Sequence, residues 1–487
     1  MVLPLPAFSQ YTWGVKSWQL DCVQIPCHDD LSMNITATID GISENSVTVI
    51  TRPNNPSGEL ISLESLLQII EAADEKNGWV FLDEAYIEFS DSKSLAHYLL
   101  RRFDNVVILR TLSKAYGLAG IRLGYLLGPE KLIAEFEQRC APFNVPQPSL
   151  LIAAKALSET NQAEMERFCK KIISNRQKLY QWFKDRNIPV LPSGANFLVL
   201  SLPGEQSKAV AAFLERKNIL VRTFNDDDMA NCVRITIPYK LKNLKQLLSQ
   251  ALLPELVCLD MDGVLIDTSG SYDATIIATV KQLSGKDITK SDIDTLKSAG
   301  GYNNDWVVAQ KMLQDVGVTK ELSVVTEVFQ KLYLGDNNDG LVNNESSLIY
   351  SELLNTIEQS SATFAVVTGR PLDEAKAGKK LVGLETLDLV SLDCVKQGKP
   401  SPEGINKLQQ KYSTASWMCG DNPDDMQAAI ASNSMAVGIS SNNKESLYQA
   451  GADVVLDSIN DLVEWLAPQN KHDQLNSSIH NTQRRPL

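Results

Sequence analysis

Apolar runs alternate with amphipathic stretches along most of this 487-residue chain. Ser46 to Ile50, Trp79 to Leu82 and Val106 to Arg110 are short apolar runs, and each stops at a polar cluster. They read as buried strands. Between them the apolar positions recur at helical spacing, for example from Leu63 to Lys76. Strands that alternate with helices predict an α/β fold with parallel sheets. After Pro142 the pattern changes. A long helical stretch, about Ser149 to Arg186, precedes short strands near Phe197 to Leu200 and Val233 to Ile237. That pattern predicts a smaller α+β domain.

Leu252-Leu253-Pro254-Glu255 marks the main boundary, where a helix ends and the strand Leu256 to Leu259 begins. A second α/β pattern follows. A helical insertion from about Tyr272 to Leu354 separates its first strand from Phe364 to Val367, and the sheet continues through Ser416 to Cys419 and Ala452 to Leu456. After Pro468 the chain is polar and aperiodic, which predicts disorder or a linker remnant. The expected domains are 1–148, 149–253 and 254–467, then a tail at 468–487.

Composition narrows the picture by exclusion. The 44% hydrophobic and 22% charged content is that of ordinary globular protein. A net charge of −13 argues against nucleic acid and against an anionic membrane surface as partners. No apolar run reaches the roughly 18 residues of a spanning helix. The opening MVLPLPAFSQYTWG has no basic leader region, which predicts a cytoplasmic protein. Eight scattered cysteines form no CxxC pair, as expected of core residues in a reducing compartment. Of four histidines, His472 and His480 lie in the tail, leaving His28 and His97. The chemistry should therefore run on Asp, Lys and Arg.

In the first half, Asp83 follows the run WVFL, Ser113-Lys114 follows VVILRTL, and Asn55 lies in a Pro-rich turn after SVTVI. Carboxyl ends of parallel strands are where open α/β sheets bind ligands. Tyr86 lies three residues past Asp83, and Arg122 eight residues past Lys114. A lysine for a Schiff base, a carboxylate for a ring nitrogen, donors for a ring oxygen and a cation for a phosphate are what pyridoxal chemistry requires. Taken singly the residues are less telling: Asp83 would suit a helix N-cap, Phe8 a core position, and Arg222 a solvated surface charge.

RPNNPSG, FLDEAYIEF and ILRTLSKAYGLAGIRLGY make residues 1 to 250 resemble the class I/II aminotransferases of fold type I, closest to the histidinol-phosphate branch. The resemblance implies large and small transferase domains. It makes Lys114 the Schiff-base lysine and sets Asp83 on the pyridine nitrogen, with Asn55 and Tyr86 on the ring oxygen. Ser113 and Arg122 would hold the phosphate of pyridoxal 5'-phosphate, and Phe8 would stack on the ring. Arg222, Arg234 and Asn196 would bind substrate. It also implies a homodimer, with glutamate and a phosphorylated imidazole metabolite as substrates. Members of that branch begin earlier than this chain does, so the cup around the cofactor phosphate is expected to be incomplete here.

In the second half, the strand Leu256 to Leu259 leads into Asp260-Met261-Asp262. Two carboxylates so close repel unless a cation or proton intervenes, which suits a magnesium site with a nucleophile and an acid/base. Thr368 ends FAVV, Lys399 sits in a turn before Pro400, and Asp421 follows SWMC. LDMDGVLIDT, VVTGR, KQGKPSPEG and CGDNPDD make residues 254 to 467 resemble the haloacid dehalogenase superfamily, a Rossmann-like domain with a helical cap, here about 272–354. The resemblance implies Asp260 as nucleophile and Asp262 as acid/base. Thr368 and Lys399 would hold phosphoryl oxygens, with Lys396 as a competitor for Lys399. Asp260, the carbonyl of Asp262, Asp421 and Asp425 would hold Mg2+. Together the two halves predict a bifunctional histidine-biosynthesis protein. The alternative is a non-catalytic aminotransferase-like dimerisation scaffold that carries an active phosphatase for another phosphorylated metabolite.

Overall fold

The computed structural model describes residues 1–225, 229–298, 302, 304–336 and 339–466. The polar tail at 468–487 and the glycines of GGYNNDW lie outside the described residues. Packing divides the chain into two units, Met1–Leu202 with Val221–Asn243, and Pro203–Leu220 with Leu244–Leu487.

The first unit is built on six strands: β1 Val2–Pro4, β2 Val23–Ile25, β3 Val47–Thr51, β4 Trp79–Asp83, β5 Val106–Thr111 and β6 Gly124–Leu127. Their order is β2-β1-β3-β4-β5-β6, parallel except for β6, which runs antiparallel to β5. The helix Leu63–Glu75 buries Leu66, Ile69, Ile70 and Ala73, the i, i+3, i+4, i+7 stripe that its sequence pattern predicts. Ser62 caps it by accepting a hydrogen bond from the Ser65 amide. Register pairs Thr51 with Asp83 and Asp83 with Leu109, so the carboxyl ends of β3, β4 and β5 share one edge. A separate antiparallel sheet holds β7 Phe197–Ser201, β8 Arg222–Thr223 and β9 Cys232–Thr236 in the order β7-β9-β8. The long helix expected over 149–186 is two helices, Gln147–Ala156 and Glu159–Lys184. Ser158 takes an extended conformation between them, at the N-cap position that serine favours.

The second unit holds β10 Leu256–Leu259, the short pair β11 Ile266–Asp267 and β12 Ser346–Ser347, then β13 Thr363–Val367, β14 Asp388–Val390, β15 Ser416–Gly420, β16 Met435–Ile439 and β17 Val454–Leu456. The main sheet is all parallel, in the order β14-β13-β10-β15-β16-β17. β10 lies between β13 and β15, the reversal point at which α/β sheets open a crevice. Between β11 and β12 the chain forms a helical cap with its own core, including Ile276, Val280, Val308, Leu313 and Phe329. Packing does not follow the Leu253–Pro254 junction. The helices Gln206–Arg216 and Lys242–Leu252 fall with the second unit, apart from the first two residues of the latter. Arg216 grips Asp453 at 2.5 Å and the Ser434 carbonyl at 2.8 Å, while the Trp417 indole donates to the Gln250 carbonyl.

Candidate active sites

At the shared edge of β3, β4 and β5, Asp83 closes β4 and is largely buried. Its Oδ1 accepts the Ala85 amide at 2.9 Å, and its Oδ2 accepts the Tyr11 hydroxyl at 2.7 Å. Burial pushes the Asp83 carboxyl up from its ordinary range, against the pull of Tyr11, Ala85 and the charge of Lys114. The Lys114 ammonium stands 5.0 Å from the centre of the Tyr86 ring, and that ring packs edge-on against Phe197. Asn55, in the turn after β3, accepts a 2.6 Å hydrogen bond from Arg234 of β9. Arg234 also lies over Phe197, 4.7 Å from its centre, and its Nε is buried without a partner among the described residues. Register sets Arg222 opposite Arg234, and Asn196 immediately precedes β7.

Asp83, Tyr86, Lys114, Asn55 and Arg234 therefore converge. Other predicted residues are not drawn in. Arg122 is exposed, has left-handed backbone (φ 53°), and donates to its own Ala119 carbonyl. The Ser113 amide donates to the Thr111 hydroxyl. Phe8 is 39% exposed and meets Tyr11 edge-on. Sequence reasoning missed Tyr11, although its spacing of three from Phe8 sets both near the start of the helix Ser9–Ser17.

The second site is more tightly held. Asp260 follows β10, Thr368 follows β13 and Asp421 follows β15. The Lys399 ammonium lies 2.7 Å from Asp260 and 2.5 Å from Asp425, with all three side chains almost wholly buried. Lys396 is exposed, and its amide donates to Glu403. Carboxylate oxygens of Asp260, Asp421 and Asp425 lie within 4.8 Å of one another. Asp425 also belongs to a capping box with Asn422 at the start of the helix Pro423–Ala431. Burial, then the charge of Asp425, pushes the Asp260 carboxyl up to about 7, with Lys399 pulling the other way. Burial, then Asp260 and Asp425, holds Asp421 well above the carboxylate range. Burial disfavours the Lys399 charge, but Asp260 and Asp425 more than offset it. Gly263 is needed here: it has φ +69°, and a Cβ would meet Asp421 at 1.9 Å.

The Asp262 carboxylate stands outside this cluster. Its Oδ1 accepts Arg370 Nε at 2.8 Å and pairs with the second Arg370 nitrogen at 2.6 Å. Thr368 Oγ1 accepts the Arg370 amide at 3.2 Å. A narrow crevice between cap and sheet opens beside Asp262, lined by Tyr272, Asn304, Trp306 and Leu392. The motif VVTGR contained Arg370, but nothing in its spacing gave that residue a role.

Two family models match the chain, one after the other. The family model for aminotransferase class I and II matches residues 1–250, and that for haloacid dehalogenase-like hydrolase matches 254–433. The histidinol-phosphate aminotransferase of Methanosarcina mazei is 36% identical over 225 residues, which are 46% of this chain and 58% of that protein. Histidinol-phosphate aminotransferase 1 of Legionella pneumophila is 34% identical over 51% of this chain and 67% of its own length. The chain thus spans roughly three-fifths to two-thirds of those relatives. The crystal structure of histidinol-phosphate aminotransferase from Sinorhizobium meliloti in complex with pyridoxal-5'-phosphate matches at 26% identity and a TM-score of 0.45, covering 52% of this chain and 69% of that one. No helix among the described residues is long and apolar enough to cross a membrane. Over residues 1–250 the chain belongs to the aminotransferase class I and II family, and behind that it carries a haloacid dehalogenase-like hydrolase domain.

Proposed function

We propose that this is a bifunctional, cytoplasmic, homodimeric enzyme of histidine biosynthesis. Its transferase half moves an amino group from glutamate to imidazole acetol phosphate, giving histidinol phosphate. Its hydrolase half removes phosphate from a monoester, and that same product is the proposed substrate. The observation that carries the hydrolase reading is the meeting of Asp260, Asp421 and Asp425 around one ammonium, that of Lys399. When ionised, these three carboxylates outweigh the one ammonium that meets them, a charge that a bound cation would offset. The donor set is all oxygen, which suits Mg2+.

Magnesium, when bound, supplies positive charge to a phosphate ester. Asp260 attacks phosphorus, and the ester oxygen leaves with a proton from Asp262. Asp262 then takes a proton from the water that opens the aspartyl-phosphate, which frees Asp260 and inorganic phosphate. Thr368 and Lys399 hold phosphoryl oxygens. Asp260, Asp421, Asp425 and the main-chain carbonyl of Asp262 hold the cation.

In the first unit, a buried Asp83 beside the Lys114 ammonium fits a cofactor that presents a basic ring nitrogen. Pyridoxal phosphate, when bound, supplies the electron sink for amino transfer. Lys114 carries the proton, Asp83 faces the ring nitrogen, and Asn55 and Tyr86 serve the ring oxygen. Phe8 would pack on the ring, and Ser113 and Arg122, the latter once released from the Ala119 carbonyl, would take its phosphate. Arg234, with a free buried Nε, Arg222 and Asn196 take the substrate's anionic groups.

The test is phosphate release from histidinol phosphate with Mg2+, beside a visible absorption band on adding pyridoxal phosphate. No phosphate release sinks the coupling of the two reactions. One observation favours the scaffold reading: Lys114 and Arg122 are exposed, and Arg122 folds onto Ala119. Phosphatase activity with no uptake of pyridoxal phosphate would decide for it.

A further inference from the structure

The hydrolase unit contains a buried ionic chain that the reaction above leaves unused. Arg370 is only 2% exposed in its side chain. Its two contacts with Asp262 both land on Oδ1, so Oδ2 takes no part in the pairing. The rest of its fork meets Glu345, with one nitrogen 3.0 Å from Oε2 and another 2.9 Å from Oε1. Glu345 is 4% exposed in its side chain and is held in turn by the Tyr333 hydroxyl at 2.9 Å and the Ser271 hydroxyl at 3.1 Å. The guanidinium lies 4.9 Å from the centre of the Tyr272 ring, and the Tyr272 and Tyr333 rings meet at 4.5 Å, tilted by 33°.

The origin of these groups matters. Only two chain passages join cap and sheet, and they pair as β11 and β12. Ser271 and Tyr272 lie in a π-helical turn, Ser269–Asp273, just past β11. Such turns recur at functional sites. Glu345 lies just before β12, and Tyr333 comes from the cap helix Leu322–Leu334. Arg370 follows β13 in the sheet. Both hinge passages therefore meet Arg370, Tyr272 beneath the guanidinium and Glu345 along one edge of its fork, while the adjacent edge grips Asp262.

We propose that Arg370 is a positioning residue: through Glu345 and Tyr272 it reads the set of the cap hinge and fixes the Asp262 carboxylate, anchoring Oδ1 and leaving Oδ2 to carry the proton to the leaving oxygen. A planar fork is needed, because the same guanidinium must bond two carboxylates in one plane. Glu345 fixes that plane and balances the guanidinium charge.

The inference rests on the phosphatase reading, and its test separates the two. Turnover is measured for wild type, Arg370→Lys, Glu345→Gln and Asp260→Asn with Mg2+ on two esters. One is p-nitrophenyl phosphate, whose leaving group departs without a proton. The other is the alkyl phosphate that wild type turns over fastest in a panel including histidinol phosphate. General-acid assistance is worth roughly 100-fold or more to a poor leaving group. Glu345→Gln, which keeps size and shape, should lower the alkyl-to-aryl ratio of kcat/KM at least about tenfold, and Arg370→Lys should lower it further. Equal losses on both esters, or an unchanged ratio in a folded Glu345→Gln protein, overturn the positioning role alone. A wild type inactive on both esters, or activity that survives in Asp260→Asn, overturns the phosphatase reading and this inference with it.

Discussion

At the strand ends of the hydrolase unit, Asp260, Lys399 and Asp425 form a buried chain of charges, and each depends on the next. At the strand ends of the transferase unit, Asp83 is likewise buried, but Lys114 and Arg122 face solvent and Phe8 is 39% exposed. The first arrangement is set before any ligand arrives and carries like charges that call for a cation. The second is a platform whose cations are held loosely, so ligand binding has more ordering left to do. A site of fixed, buried charge should fail sharply when one member is removed. A site of loosely held groups should lose function by degrees.

The largest expected effect tests whether the sites are independent. Asp260→Asn removes the proposed nucleophile and should cut phosphate release by about a thousandfold or more, with the absorbance of bound pyridoxal phosphate unchanged. Lys114→Ala should abolish that absorbance and amino transfer, with phosphate release unchanged. Assaying both reactions on each variant decides it: loss of both activities from either change breaks the comparison.

Lys399→Met comes next. Removing one partner of a buried ionic cluster costs about 3–5 kcal/mol, because the remaining charges stay buried. The change should lower the urea midpoint of the hydrolase unit as well as its activity. An unaltered midpoint would mean that water already reaches Asp260 and Asp425.

How much of this could be read in the sequence follows from distance along the chain. Asp83 and Asp260 each follow an apolar run directly, and Asp421 and Lys114 follow one within a few residues, so a strand and the group near its end appear in one short window. The hydrophobic stripe of Leu63–Glu75 is local in the same way. Arg370 and Asp262 are 108 residues apart, and Tyr11 and Asp83 are 72 apart. Those contacts arise from how crossover helices and the cap return the chain to the sheet, which periodicity does not encode. The break at Ser158 was missed for another reason. Two residues, Leu157 and Ser158, leaving helical geometry between two good helical stretches hardly disturb the hydrophobic period. The packing of Gln206–Arg216 with the hydrolase unit includes the Arg216–Asp453 pair, and those residues are 237 apart.

Magnesium should bind the hydrolase unit with a defined pH dependence. Burial and neighbouring carboxylates push Asp260 up to about 7 in the folded chain. Without the cation, the folded state holds this proton more tightly than the unfolded state does. The stability it contributes is full below about pH 4, the ordinary carboxylate range, and is lost as pH rises through about 7. Mg2+ competes with that proton, and Asp421 shifts in the same direction. The rise in melting temperature on adding Mg2+ should therefore be small near pH 5.5 and larger near pH 8, roughly tracking Asp260. A rise that does not change with pH would separate the bound cation from Asp260.

The smallest effect tests the looser site. Tyr11→Phe removes one 2.7 Å hydrogen bond to Asp83 and keeps the ring that meets Phe8. A hydrogen bond to a charged group is worth about 1.5–3 kcal/mol, the upper end being reached where water cannot replace it. Because the site is open, the loss should be near the lower end, about tenfold in amino transfer. The bond from Tyr11 lowers the Asp83 carboxyl against the rise that burial causes. Without it Asp83 takes up a proton at higher pH, and the acid side of the amino-transfer profile should move upward. Removing the hydroxyl withdraws the Tyr11 hydrogen bond, so the Ala85 amide and the charge of Lys114 are left to favour the ionised carboxylate. If the profile stays in place while the rate falls, Tyr11 only packs the helix Ser9–Ser17 against the strand end, and the Asp83 carboxylate is set by Ala85 and Lys114.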